Sequence, residues 1–317
     1  IFGVLGMYPG SGALCVTEHP SVLAPFRALE KKGRAVSWIP VDEFGRVDLA
    51  VVKKVLAGGA DLVSIMYANN EIGTVQPIRE IVKLVRAERM RRNPKDPLGL
   101  HAPFFHLDAC QAPGALPLDF GRMGVDVATI SAQKFYGPKG VGALYLRSGV
   151  KLAPRMQGGG HEYGLRAGTE NVPLIVGMAA ALEDAEKKRE RESARLLKLR
   201  TYFIQKVCDE ISGATLSGHP NERLPNNAHV SFPGIESELL VLDLDARGIA
   251  VSSGSACGTH ADEPSYVVRA LGKSAAYART GVRFTLGSDT TKAALDATIR
   301  AIKDSLSLQK RFPVQEG

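Results

Sequence analysis

Three short stretches carry side chains able to do covalent chemistry. Phe104-Phe-His-Leu-Asp-Ala-Cys-Gln111 is an apolar run that delivers Asp108 at its end, with Gln111 one turn on. Val127-Ala-Thr-Ile-Ser-Ala-Gln-Lys134 ends in Ser131 and Lys134, ahead of a tight turn at Gly137, Pro138 and Gly140. Ser253-Gly-Ser-Ala-Cys257 sets a thiol among small residues, where a core-filling cysteine is unexpected. Each also has a plain structural reading. A lone Asp at a strand end reads first as a helix N-cap, worth about 1 kcal/mol. Lys134 reads as an exposed turn lysine, as Lys139 does, and loop exposure of Cys257 favours reactivity without fixing its pKa.

Taken together, Asp108 and Lys134 point to one chemistry. A lysine partly desolvated at a strand end becomes a better Schiff-base amine. A carboxylate downstream of a neighbouring strand keeps a pyridine nitrogen protonated, so that the ring can accept electrons. That pair is what a pyridoxal phosphate site needs, with serine and amide side chains beside it to hold the phosphate.

The elements that must position these residues alternate. Strand patterns at Leu14–Thr17, Ala35–Pro40, Leu62–Tyr67, Phe104–Asp108, Val127–Ser131 and Ala143–Leu146 are separated by helical spacings at Ser21–Lys32, Leu49–Ala57 and Ile78–Arg91. Such alternation predicts a largely parallel sheet covered by helices, with ligands at the carboxyl ends of its strands. Residues 148–172 are Gly-rich and irregular, and Val176–Ile211 reads as one long charged helix, or two with a bend. After the loop Ser217–Asn227 come strand His229–Phe232, helix Ser237–Ala246, strand Ile249–Ser252, helix Ser265–Leu271, strand Val282–Leu286 and helix Lys292–Leu308. The organisation expected is a large domain over 1–175 and a smaller α+β domain over 176–317.

Composition bounds the function classes. The 317 residues are 44% hydrophobic and 23% charged, ordinary for a globular chain of one or two domains. No apolar run reaches the roughly 20 residues of a membrane span. The stretch Ile1–Gly12 has no basic region and no initiating Met, so it reads as the start of a partial chain rather than a signal peptide. Cys15, Cys110, Cys208 and Cys257 show no CxxC spacing, which predicts neither a disulfide framework nor a metal site and fits a reducing, cytoplasmic setting. The first three fall in strand or helix patterns and read as structural. The net charge of +7 is spread over segments such as Glu186–Arg200, where acids alternate with bases as on a solvated helix face. The denser run Arg89–Lys95 is placed in a Pro-rich loop without aromatic stacking partners, so no nucleic acid is expected.

Eight segments in order resemble the cysteine desulfurases of the class V aminotransferase superfamily, in the branch of the nitrogen-fixation and iron–sulfur-cluster enzymes. They are Thr17-Glu-His-Pro20, Asn69-Asn-Glu-Ile-Gly73, Asp108-Ala-Cys-Gln111, Ser131–Gly140, Gly158-Gly-Gly-His-Glu162, Arg166-Ala-Gly-Thr169, Ser253-Gly-Ser-Ala-Cys257 and Val282-Arg-Phe-Thr-Leu-Gly287. The resemblance covers nearly the whole chain. It implies an α/β fold, the pyridoxal-phosphate transferase fold type I, in which a large domain with a mostly parallel sheet is followed by a smaller α+β domain.

It also implies roles. His19 stacks on the ring of pyridoxal 5'-phosphate and assists proton transfer, and Asn70 lies beside ring and substrate. Asp108 pairs with the ring nitrogen, Gln111 bonds the ring hydroxyl, and Ser131 and Gln133 contact the phosphate. Lys134 forms the Schiff base, and Thr169 reaches the phosphate of the other subunit's cofactor in a homodimer. Arg283 clamps the carboxylate of L-cysteine in a bidentate pair. The Cys257 thiolate takes the substrate sulfur as a persulfide, alanine is released, and an iron–sulfur scaffold or another acceptor protein receives the sulfur. The long loop around Cys257 suits a sulfur that must travel.

The chain departs from the family pattern in places. Gln133 stands where a His usually precedes the Schiff-base lysine; it can donate to phosphate but cannot carry a positive charge. The family's Gly/Ala/Thr-rich phosphate loop has no counterpart ahead of Ile1, so a fragment that holds its cofactor weakly is expected. Ala87–His101 is longer than the usual loop, and the C-terminus stops early. Selenocysteine lyase, or a related lyase or aminotransferase, is the competing enzyme reading. A non-catalytic paralogue or scaffold is the competing binding reading, opposed by the intact Asp108, Lys134, Cys257 and Arg283.

Overall fold

The computed structural model describes residues 10–96, 98–154, 156–254 and 263–311, with side chains through 308. They fall into two compact units. The first holds residues 10–42, 46–69 and 75–189; the second holds 43–45, 70–74 and the chain from 190 on.

In the first unit, strands β1 (Gly12–Cys15), β2 (Val36–Ile39), β3 (Leu62–Met66), β4 (Phe104–Asp108), β5 (Val127–Ser131) and β6 (Gly142–Leu146) form one sheet in the order β2-β1-β3-β4-β5-β6. All neighbours pair in parallel except β5 with β6. β3 and β4 are buried at every position, which is why their sequences are continuous apolar runs rather than alternating ones. Helices α1 (Pro20–Lys31), α2 (Leu49–Ala57), α3 (Ile78–Arg92) and α4 (Phe120–Met123) supply the crossovers. Val52 and Leu56 of α2, and Ile81, Val82 and Val85 of α3, bury their stripes against Ile39, Val63, Ile65 and Phe105.

The basic run after Arg89 differs from expectation. Arg89, Arg91 and Arg92 form the last turn of α3, where cations meet the helix carbonyls favourably. Arg89 is buried, donates to the Pro103 carbonyl and pairs with Asp126, which also accepts from Arg147 and from the Phe105 amide. Arg147 Nη1 donates to the Leu98 carbonyl at 2.9 Å, tying down the long segment after α3. A charge that sequence alone reads as solvated is thus taken inside by a carboxylate with three donors.

Helix α5 (Val172–Glu210) is continuous. Met178 and its neighbours join the first core, while Leu196, Phe203 and Val207 join the second. Its charged face carries i,i+3 and i,i+4 pairs such as Lys187–Glu183 and Arg195–Glu192, as a solvated face should.

The second unit is a four-stranded antiparallel sheet in the order β7 (Thr215–Leu216), β8 (Asn227–Ser231), β10 (Gly281–Thr285) and β9 (Ser252–Ser253). Helices α6 (Ser237–Ala246), α7 (Tyr266–Ala270), α8 (Ala275–Ala278) and α9 (Lys292–Arg311) lie between and after the strands. Its core gathers Val230, Leu240, Leu244, Val282 and Ile302 with the apolar face of α5. β7 and the two short helices α4 and α8 escaped the sequence reading because two to four residues show no period.

Candidate active site

Three strand ends of the first unit converge chemically. The chain leaving β1 passes through Thr17, Glu18 and His19; β4 ends in Asp108; β5 ends in Ser131 and turns into a single 3-10 turn, Ala132–Phe135, that carries Lys134. Parallel pairing of β4 with β5, Asp108 opposite Thr129, brings the second and third ends side by side.

Asp108 is buried, with Oδ1 accepting the Cys110 amide at 3.0 Å, so an N-cap-like turn and a buried carboxylate coexist in one residue. The Cys110 thiol donates to the Thr129 carbonyl at 3.8 Å, and burial, with the Asp108 charge next, pushes its pKa up. His19 caps α1: its Nδ1 accepts the Ser21 amide at 3.2 Å, which leaves the proton of the neutral ring on Nε2. Burial lowers its pKa, the Asp108 charge opposes that, and the Lys134 charge reinforces it.

Lys134 is exposed, where partial burial was expected, because the 3-10 turn lifts it off the strand end; among the described residues its ammonium makes no hydrogen bond or ion pair. The turn is closed by Tyr136 in the left-handed region at φ 65°. Ser131 Oγ donates to Gln133 Oε1 at 2.7 Å. Gln111 is half-buried just past Asp108. Thr169 is exposed, and no hydrogen bond joins it to the others among the described residues.

Two residues expected at the site belong to the second unit. Arg283 on β10 sends Nη1 to the Asn70 carbonyl at 2.9 Å, so the backbone of Asn70 orients the guanidinium. The Asn70 amide oxygen is buried with no hydrogen-bond partner among the described residues. A group that brings a donor to it is what this atom lacks. Cys257 lies outside the described residues; its flanks Gly254 and Ser265 both meet Glu71.

Two residues of the first unit were not singled out by sequence. Glu18 is fully buried and its Oε1 accepts the Met66 amide. Burial, and next the Asp108 charge, push the pKa of its carboxyl well above the usual carboxylate range. His106, two residues before Asp108, bonds Ser64 Oγ at 2.8 Å and Thr129 Oγ1 at 3.4 Å, and burial lowers its pKa to about 4. An ionisable residue inside or at the end of an otherwise apolar strand was the available signal for both.

The family model for class-V aminotransferases matches residues 11–298. A cysteine desulfurase IscS of Dictyoglomus turgidum is 44% identical over 286 residues, 90% of this chain and 69% of that protein. The chain belongs to the cysteine desulfurases of the class-V aminotransferase family. The fold of the desulfurase agrees: a solved NifS-like protein superposes with TM-score 0.84 at 33% identity, over 97% of this chain and 78% of that one. A second neighbour, solved as SspA in complex with cysteine, has TM-score 0.69 at 31% identity over 87% of this chain and 74% of its own. Among the described residues of the desulfurase, no helix is long and apolar enough to cross a membrane.

Proposed function

We propose that the chain removes sulfur from L-cysteine, releasing L-alanine and holding the sulfur as a persulfide on Cys257 for an acceptor protein of iron–sulfur cluster or thio-cofactor synthesis. The observation that carries this reading is the grouping of Asp108 and Lys134 past the ends of the paired strands β4 and β5, with His19, past β1, feeling the charge of both.

The residues fit pyridoxal 5'-phosphate. Asp108 offers a buried carboxylate for the ring nitrogen, Lys134 an amine with no competing partner among the described residues, and Gln133, whose amide oxygen accepts from Ser131, an NH2 donor for phosphate. Gln111, and the Asn70 amide oxygen that has no partner among the described residues, are left for further ring or substrate groups. Bound there, the cofactor supplies an electron sink for a carbanion at the substrate's α-carbon.

The chain's own groups do the rest. Burial and the Asp108 charge raise the pKa of Glu18, which disfavours a second negative charge beside Asp108. The freed Lys134 amine takes the substrate α-proton and returns it at a neighbouring carbon. His19, with its proton on Nε2, serves as the second proton carrier. Arg283, held by Asn70, clamps the substrate carboxylate. The Cys257 thiolate attacks the substrate sulfur: a sulfur–sulfur bond forms, the carbon–sulfur bond breaks toward carbon, and that carbon takes a proton to give alanine. L-cysteine plus the thiol becomes alanine plus persulfide, with no outside oxidant.

A homodimer completes this reading. Tyr136, Leu144, Tyr163, Val172 and Val176 expose apolar surface on the first unit, Tyr163 at 99% and Tyr136 at 77%. Exposed large apolar side chains of this kind suit a subunit contact, and Thr169, between Tyr163 and Val172 in the chain, is the residue the resemblance assigns to the partner's cofactor.

The test is alanine and sulfide release from L-cysteine with added cofactor and a thiol reductant, in the chain and in Cys257→Ala. Equimolar products, lost in the variant, support the reading. Release that survives the variant, or a preference for selenocysteine, moves it to a lyase.

A further inference from the structure

Glu71 plays no part in the chemistry above, yet it is buried, with 3% of its surface exposed. Ser265 Oγ donates to its Oε2 at 2.6 Å. A Cβ built on Gly254 would lie 3.2 Å from that same oxygen and 3.1 Å from the Ser265 Cβ, so only glycine fits there without a shift. Gly254 follows β9 and Ser265 caps α7 by accepting the Val268 amide; the segment that bears Cys257 runs between them in the chain. One residue earlier, the Asn70 carbonyl holds Arg283.

We propose that Glu71 is a positioning residue for sulfur transfer: its carboxyl clasps Gly254 and Ser265, the two roots of the Cys257-bearing segment, in register with the Asn70–Arg283 pair. A clasp at the roots fixes where the segment between them starts and ends. The conformations open to Cys257 are thereby fewer, and the approach of its sulfur to the substrate is more frequent. The carboxyl is retained at an apolar position because it accepts from Ser265. Burial raises its pKa to about 7, and the Ser265 hydrogen bond and the Arg283 charge oppose that rise.

The inference rests on the proposed persulfide on Cys257. The experiment loads the holoenzyme with L-cysteine for a single turnover and measures the Cys257 persulfide by alkylation and mass spectrometry, alongside cofactor loading, the absorbance change on L-cysteine binding, and KM. Glu71→Ala, Ser265→Ala and Gly254→Ala should each slow persulfide formation about tenfold or more, with cofactor loading and KM within about twofold of the parent. Glu71→Gln keeps an acceptor oxygen for Ser265 and should restore most of the rate. Parent-like persulfide rates in all three variants overturn the inference alone. So do equal losses in cofactor loading and in persulfide, or a Glu71→Gln no better than Glu71→Ala. A parent protein that forms no persulfide on Cys257 overturns the functional reading and this inference with it.

Discussion

The Ser131 hydroxyl donates to the amide oxygen of Gln133, so the end of Gln133 left to meet a phosphate is its NH2 group. The amide is thereby turned into a donor, in the position where the family resemblance leads one to expect a histidine. It remains neutral. Gln133→His adds a group able to carry charge, and charge-assisted bonds to phosphate are about twice as strong as neutral ones. The variant should hold pyridoxal 5'-phosphate about three- to tenfold more tightly at pH 6 than the parent, a gain of about 1 kcal/mol, with the advantage shrinking by pH 8. Titration of the apoenzyme by absorbance checks this; equal affinities at both pH values would sink it.

Asp108→Asn keeps the acceptor oxygen for the Cys110 amide and the shape of the strand end, so the fold should survive. What it removes is the negative charge. Turnover of L-cysteine should fall about a hundredfold or more, while the thermal midpoint of the apoenzyme moves little. Lys134→Ala should lose at least about a thousandfold and fail to retain cofactor after borohydride reduction, read by mass.

Gly281 faces the ring of His229: a Cβ built on Gly281 would sit 2.3 Å from the imidazole Cε1. His229 has no exposed surface, and neither ring nitrogen has a hydrogen-bond partner among the described residues. Gly281→Ala should destabilise the protein by about 2 kcal/mol through overpacking. In the Gly281→Ala/His229→Ala double variant the clash is gone, and a coupling of at least about 1 kcal/mol should appear in a urea-unfolding cycle. Strict additivity would show that the two do not share this space.

Glu71 and His229 give stability opposite pH slopes. Glu71 has its pKa raised from 4.5 to about 7 in the folded chain. The folded state then binds more protons across that window, so stability is full below 4.5 and is lost as pH rises through about 7. His229, lowered from 6.5 to about 3 by burial, is neutral when folded; its contribution is full above 6.5 and is lost as pH falls toward about 3. Glu71→Gln removes the first slope only. Its stability relative to the parent should increase by about 2 kcal/mol between pH 5 and pH 8, measured by urea unfolding at both. A difference independent of pH would mean that the Glu71 carboxyl titrates normally.

The amino-acid sequence by itself carried the architecture of the first unit, because period and apolar continuity are local properties. Phe104–Asp108 and Val127–Ser131 could be bounded to the residue, and so could Ser237–Ala246 in the second unit. The chemistry of Asp108 and Lys134 was legible for a related reason: both follow strand ends, and parallel strands present their ends together. Tertiary structure alone decided the charges that went inside. Arg89 reads as a surface base until Asp126, 37 residues on, accepts it, and Glu18 reads as a loop acid until the Met66 amide and Asp108 surround it. Glu71 is the same case at longer range, since Ser265 lies 194 residues away in the chain. Burial of a charge depends on partners brought from distant segments, and no local pattern encodes where those partners will be.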